Sequence, residues 1–386
     1  MGRLSNLSVM RRREITGMRK NNLDYLKVLA IICVIAIHVY DKLITSYALI
    51  TPQQWFIVNR IESFLRFSIP VFFMINGTLL LRKYEGEKGI VFYKRAFPRL
   101  LVAYVIATFI SLEASSQWFG TTYTFNDFWT SLTNFTGFYH LWFFQTLMTI
   151  YLFVPALRLM IRFIHRADTH YLLDAFILFW IGSSIVTPFI TTTFQLPEVI
   201  FSSPFVTWIL PYIGYFVFGY YLEYRIKPLI SNRKLAVFAL GVTFLAGTTL
   251  TSAIMVYGLD IATSAIPSQA YYPYSLNIFL SSTGVTGIFL LLENKFKANR
   301  IVQFLSQNSL IIFLIHPIII GYLEFNYQMD ILATESPLLE AFKLFALTLA
   351  VSVLIAGAWQ LMKTLATKSL AILLKNSNTL ELPSES

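Results

Sequence analysis

Cysteine and charge are both scarce. Cys33 is the single cysteine in 386 residues, which excludes an intrachain disulfide and a cysteine-rich metal site. Charged residues make up only 13% of the chain, too few to cover the surface of a water-soluble domain. No glycine-rich phosphate loop ends in Lys-Ser/Thr, no GxSxG elbow is present, and no His/Glu or Cys group has metal-ligand spacing. No regular arginine ladder runs through an apolar stretch. These absences argue against an ATP-driven pump, a serine hydrolase, a metalloenzyme and a voltage-gated channel. Internal repeats of 20 to 50 residues and low-complexity tracts are missing as well.

What is there is apolar. Hydrophobic residues supply 56% of the chain and aromatics 16%, and the mean hydropathy is +0.62. The expectation is an all-α integral membrane protein. Segments of about 20 apolar residues can be drawn ten times, over 24–46, 61–82, 97–113, 139–161, 171–191, 204–223, 235–257, 273–293, 302–324 and 338–362. A Pro-bearing, Thr/Ser-rich loop separates the fifth from the sixth. The net charge of +10 suggests cytoplasmic loops rather than nucleic acid. All but five of the 30 basic residues fall in the N-terminal tail, in the loops after even-numbered spans or beyond the last span. The exceptions are Lys42 and Arg60 in the other loops and Lys27, Arg66 and Lys343 within spans. That alternation predicts a ten-helix bundle with both termini cytoplasmic. The chain divides into a basic tail, 1–20, a membrane domain, 21–365, and a short C-terminal tail, 366–386. The first apolar run carries Asp24, Lys27 and His38 and no small-residue cleavage site closes it, so it reads as a retained helix rather than a signal peptide. No soluble catalytic domain is expected beyond the bundle.

Ionisable groups inside apolar spans mark candidate functional residues. In "LDYLKVLAIICVIAIHVYDK", eleven helical residues at about 100° each bring His38 to within roughly 20° of Lys27 after three turns, roughly 16.5 Å along the axis. Both side chains lie on one stripe, with Lys27 toward the cytoplasmic end and His38 in the outer half. Asp24 stands at i−3 from Lys27, an ion-pair spacing. A snorkelling lysine and a histidine bonded to a neighbouring helix would leave the same pattern. Helical placement puts His316 and Arg66 at a depth comparable to His38, with His140 at the outer face, so three of the five histidines converge on one leaflet. Arg66 can pair with Glu62 or Glu113, or stabilise a developing oxyanion. His140 with Tyr139 and Trp142 also fits an interfacial aromatic belt, and His165 and His170 fall in a basic cytoplasmic loop. Lys94, Arg95 and Arg99 frame the start of the third span, where they either bind phosphates or simply obey the positive-inside rule. Asn76 and Gly77 read as a close helix contact. A transporter or flippase for a polar or lipid-linked substrate is the rival reading, and would favour inverted repeats and broken helices.

Several stretches carry a family resemblance. Asp24, Tyr25, Leu26 and Lys27, with His38 beyond them, look like the opening signature of the acyltransferase 3 family, in which an Arg or Lys precedes a His. "RFSIPVFFMINGTLLL" resembles its second-helix motif, usually written with Ser where Asn76 stands. "YKRAFPRLLVAY" resembles the basic, Pro-containing approach to its third helix, "YHLWFFQTLMTIYLFVPAL" its fourth helix, and "QNSLIIFLIHPIII" its late helix with a His. The resemblance covers about 21 to 362 in the family's order. It implies a membrane O-acyltransferase of a bacterial inner or plasma membrane. Acetyl-CoA or another acyl-CoA would be the donor, and a hydroxyl of a surface polysaccharide or lipid-linked glycan the acceptor. His38, Arg66 and His316 would be catalytic, Lys27, Lys94, Arg95 and Arg99 would meet the coenzyme, and His140, Trp142 and Glu113 would face the acceptor. No metal is implied. Lys27 stands where the family has Arg or Lys, and a lysine cannot make the bidentate contacts of arginine.

Overall fold

The computed structural model describes residues 19–82, 88–134, 139–186 and 209–379. Among them every regular element is helical, apart from one isolated bridge between Asp260 and Ala265. Among the described residues eight helical stretches are long and apolar enough to cross a membrane. Helix α1, Asn21–Ile44, is the hub. Its apolar residues surround it on all sides, with Leu26, Ile31, Ile35 and Leu43 fully buried, as expected of a helix with protein on every face.

Helix α2, Pro52–Leu65, and helix α3, Ser68–Leu81, form one bent span. Thr51 and Gln54 make a reciprocal capping box and Pro52 occupies the first turn, so the helix starts well before its apolar run. The second span is therefore Pro52–Leu81 rather than 61–82, and Arg60 lies inside a helix instead of in a loop. The bend falls at Arg66–Phe67 because Pro70 has no N–H to offer the Arg66 carbonyl. Trp55 Nε1 donates to Ile44 O at 3.0 Å, tying the start of α2 to the end of α1.

Helix α4 is Gly89–Phe119, longer at both ends than the drawn 97–113, and it closes on Gly120 in the left-handed region. Leu101, Val102, Ile106, Phe109 and Ile110 are exposed along it, an apolar face suited to lipid. Helices α5, Phe125–Asn134, α6, Trp142–Ala167, and α7, Tyr171–Ile181, follow. Helix α8, Leu210–Tyr221, comes next, then α9, Arg233–Tyr257, and α10, Leu276–Leu291. The chain ends with α11, Arg300–Asn326, and α12, Pro337–Thr379, which continues beyond position 366. The Thr/Ser-rich loop after the fifth drawn span lies outside the described residues, as does nearly all of the basic N-terminal tail.

Helix α1 packs against α2, α3, α10, α11 and α12. Two buried apolar clusters result. One holds α1 up to Ile35 and α11 up to Phe313; the other begins at Ala36 of α1 and Ile319 of α11. His38 and His316 belong to the layer between them.

Helices α3 and α8 touch backbone to backbone at Gly77 and Gly219. A Cβ on Gly77 would sit 1.6 Å from Phe216 O, so Gly77→Ala must push α8 away. Its thermal unfolding temperature in detergent should drop by several degrees, against no change for Gly241→Ala, whose Cβ meets nothing within 4 Å. Equal temperatures for both variants would contradict this contact.

Candidate active site

Two polar sites lie along the seam between α1 and α11, which run parallel. The first is a cavity of about 390 Å³ at the N-terminal end of α1. Arg19, Lys20, Asp24 and Lys27 line one wall, Ile75 and Leu79 of α3 with Arg82 just after it another, and Ser306 of α11 a third. Asp24 accepts from Arg19 Nε at 2.5 Å and from Ser306 Oγ at 2.6 Å. The expected Asp24–Lys27 ion pair is therefore not formed: the carboxylate has gone to a residue upstream and to a neighbouring helix. Lys27 stays within Coulombic reach of Asp24 but faces the cavity. Lys20 is held by Glu223, which also takes Lys227 Nζ at 3.2 Å, and Lys227 in turn reaches Glu293 at 2.6 Å. These pairs fix the cavity rim to the segments following α8 and α10.

The second site lies farther along the same two helices. His38 Nδ1 lies 2.7 Å from His316 Nε2, and His316 Nδ1 lies 3.2 Å from Ile312 O. The ring of His140 is centred 5.9 Å from that of His316, and Tyr139 meets His38 edge to face at 5.0 Å. The convergence of three histidines expected from helical depth is thus present in space. His316 and His140 are buried within the protein, at 0% and 1% exposure, whereas His38 keeps some accessible surface.

One turn beyond His38, Asp41 takes Arg66 Nη2 at 2.8 Å, and Glu62 takes the same nitrogen at 2.5 Å. The guanidinium also lies over the Tyr271 ring at 3.7 Å. Arg66 thus has the expected Glu62, and Asp41 in place of Glu113. Glu113 is exposed at the far end of α4, where Tyr123 Oη donates to it at 2.8 Å and Gln117 Nε2 at 3.2 Å. Next to Asp41, Lys42 bridges Glu324 at 3.2 Å and Asp330 at 3.1 Å. The Leu332 amide and this lysine hold the Asp330 carboxyl below its ordinary range.

Other expected residues stand apart. Lys94, Arg95 and Arg99 are exposed on α4 and do not line the cavity. Trp142 packs on Tyr212 of α8 at 5.5 Å. His165 lies in the last turn of α6 rather than in a loop, and its Nε2 meets Tyr220 Oη at 3.0 Å. Sequence reasoning missed Arg19, Lys20, Arg82 and Ser306 as cavity residues and Asp41 as the partner of Arg66. For Asp41 a signal existed: it stands three residues after His38, on the same helical face. Among the described residues no three His, Cys, Asp or Glu are grouped to hold a metal ion.

A chemical role follows from these placements. The cavity offers cations to an anionic ligand, and the histidine pair offers a neutral base in an apolar layer. Comparison with protein families gives one match, to a family model described as an acyltransferase domain, over residues 20–357. Neither curated proteins nor solved structures give a match.

Glu62 is fully buried against Arg66, so Arg66→Leu leaves a carboxylate without its counter-charge. We expect a loss of about 3–5 kcal/mol in unfolding experiments, most of it regained in the Arg66→Leu/Glu62→Leu double variant. A double variant as unstable as the single one would remove the buried-pair account.

Proposed function

The chain belongs to the acyltransferase 3 family, and from that premise we propose that this multi-pass membrane protein moves an acetyl or other short acyl group from cytoplasmic acyl-CoA to a hydroxyl of a surface polysaccharide or lipid-linked glycan. In this reading ten helices cross the plasma membrane, and both termini are cytoplasmic. The observation that carries it is the stacking of a cation-lined cavity and a histidine pair on the same two helices, roughly 16.5 Å apart by the rise from Lys27 to His38.

Arg19, Lys20, Lys27 and Arg82 suit the phosphates of a coenzyme A thioester entering from the cytoplasm. Lys94, Arg95 and Arg99, exposed on α4, add long-range attraction rather than contacts. Between the two sites the stripe of α1 is filled by Ile31 and Val34, both buried. The acyl-bearing arm therefore reaches His38 only when α1, α3 and α11 part, or the acyl group is relayed as an acyl-imidazole. In the direct route, the acceptor hydroxyl gives its proton to His38 as its oxygen bonds the thioester carbonyl carbon. The C–S bond then breaks and the proton leaves on the thiolate, so the products are an ester and the free thiol. Arg66 has one terminal nitrogen committed to two carboxylates, which suits a role in holding the end of α1 better than one as an oxyanion donor. Tyr139, half exposed beside His38, is placed to meet the acceptor.

The test is transfer of label from radiolabelled acetyl-CoA into extractable glycan, with wild type and His38→Ala at equal membrane abundance. Label in the wild type and a loss of about 10²-fold or more in the variant is the expected result. Equal label in both would remove His38 from the chemistry, and none above vector would favour the transporter reading. Lys27→Ala should raise KM for acetyl-CoA about tenfold, the equivalent of about 1.4 kcal/mol, with a smaller effect on kcat. A change confined to kcat would remove Lys27 from the donor site.

A further inference from the structure

The contacts of the histidine pair determine where its protons are. Ile312 O can only accept, so the His316 Nδ1 beside it carries hydrogen. His316 is fully buried, and among the described residues no carboxylate touches it, so an imidazolium there would have no counter-charge. A neutral ring with hydrogen on Nδ1 presents a bare lone pair at Nε2. That lone pair faces His38 Nδ1 at 2.7 Å, and the contact therefore requires the hydrogen to be on His38. The two ring planes lie within 11° with centroids 4.9 Å apart. Rings stacked face to face would not bring these two nitrogens to 2.7 Å along their edges, so the contact is an in-plane N–H···N bond.

We propose that His316 is a positioning residue that selects the Nδ1–H tautomer of His38, so that His38 meets its substrate with an unprotonated Nε2. The inference rests on the reading of His38 as the base. His316 does for His38 what a buried carboxylate does for the histidine of a Ser-His-Asp triad, with one difference. A carboxylate in this apolar layer would have to be desolvated as a charge, whereas imidazole accepts the same bond while neutral. When the acceptor hydroxyl passes its proton to His38 Nε2, the positive charge stays on His38. Its Nδ1–H remains donated to His316, and no second charge forms. The backbone supplies the last link. Pro317 follows His316 directly and cannot donate to the Phe313 carbonyl, so that carbonyl is left free beside the Ile312 carbonyl, and the two flank Nδ1–H.

The experiment is solid-state nitrogen NMR of the full chain, labelled with ¹⁵N-histidine in lipid bilayers, with His38 assigned by difference from His38→Gln. In the wild type the His38 Nε2 should resonate as an unprotonated nitrogen and Nδ1 as N–H. His316→Ala should shift His38 toward Nε2–H and lower kcat by roughly 10²-fold or more, with KM for acetyl-CoA unchanged. His316→Gln, whose Oε1 can still accept from Nδ1–H, should keep the wild-type tautomer and recover most of kcat. Nε2–H on His38 in the wild type would overturn the proposal. So would a Gln variant that keeps the tautomer yet is as inactive as Ala, since His316 would then act in the chemistry itself. The spectra need neither donor nor acceptor, so they decide the tautomer even if acetyl-CoA is not the donor. The wild-type and Gln spectra suffice should His316→Ala fail to fold.

Discussion

A polar group held at mid-depth in a membrane has no water to turn to and must be satisfied by protein. The arrangement around α1 follows from that constraint. His38 is answered by His316, His316 by its own helix backbone, and Arg66 by Asp41, Glu62 and the face of Tyr271. The histidine pair lies where one apolar cluster gives way to the other, and the Arg66 pairs sit beside the second cluster, where each charge has its partner. Helix α1 can carry them because it is surrounded by protein and almost none of its length faces lipid.

Much of this was legible in the residues. Helical periodicity alone placed Lys27 and His38 on one stripe and brought His38, His316 and His140 to one leaflet, because a rise of 1.5 Å per residue converts position into height. The apolar runs located most of the spans. Helix limits were less legible, since capping residues such as Thr51 and basic early turns such as those with Lys94, Arg95 and Arg99 in α4 extend helices beyond their hydrophobic stretch. Pairings were least legible. Spacing at i−3 offered Asp24 to Lys27, but Ser306, far away in sequence, competes for the same carboxylate and wins with Arg19. Glu113 was offered to Arg66 by its place near the end of a span, but Tyr123 and Gln117 take its carboxylate, and such a pairing across the fold is not written in a linear sequence.

The cavity divides its cations by their commitments. Arg19 is paired with Asp24 and Lys20 with Glu223, which sets the walls. Among the described residues Lys27 has no direct ion pair, and of the α1-end residues that line the cavity it lies farthest along the chain. A ligand that brings its own negative charge can be neutralised there without breaking an existing pair, which keeps the cost of binding low.

The parallel course of α1 and α11 has a mechanical consequence. Asp24 and Lys42 are separated by the same eighteen residues as their partners Ser306 and Glu324, and the histidine contact falls between these two ties. Equal spacing means that both end ties close only at one axial register, so neither helix can slide along the other without releasing both. The pair of helices therefore acts as a ruler clamped at its two ends. The imidazoles are aligned by fastenings roughly 27 Å apart along α1, and a disturbance at either tie is transmitted to the contact between them.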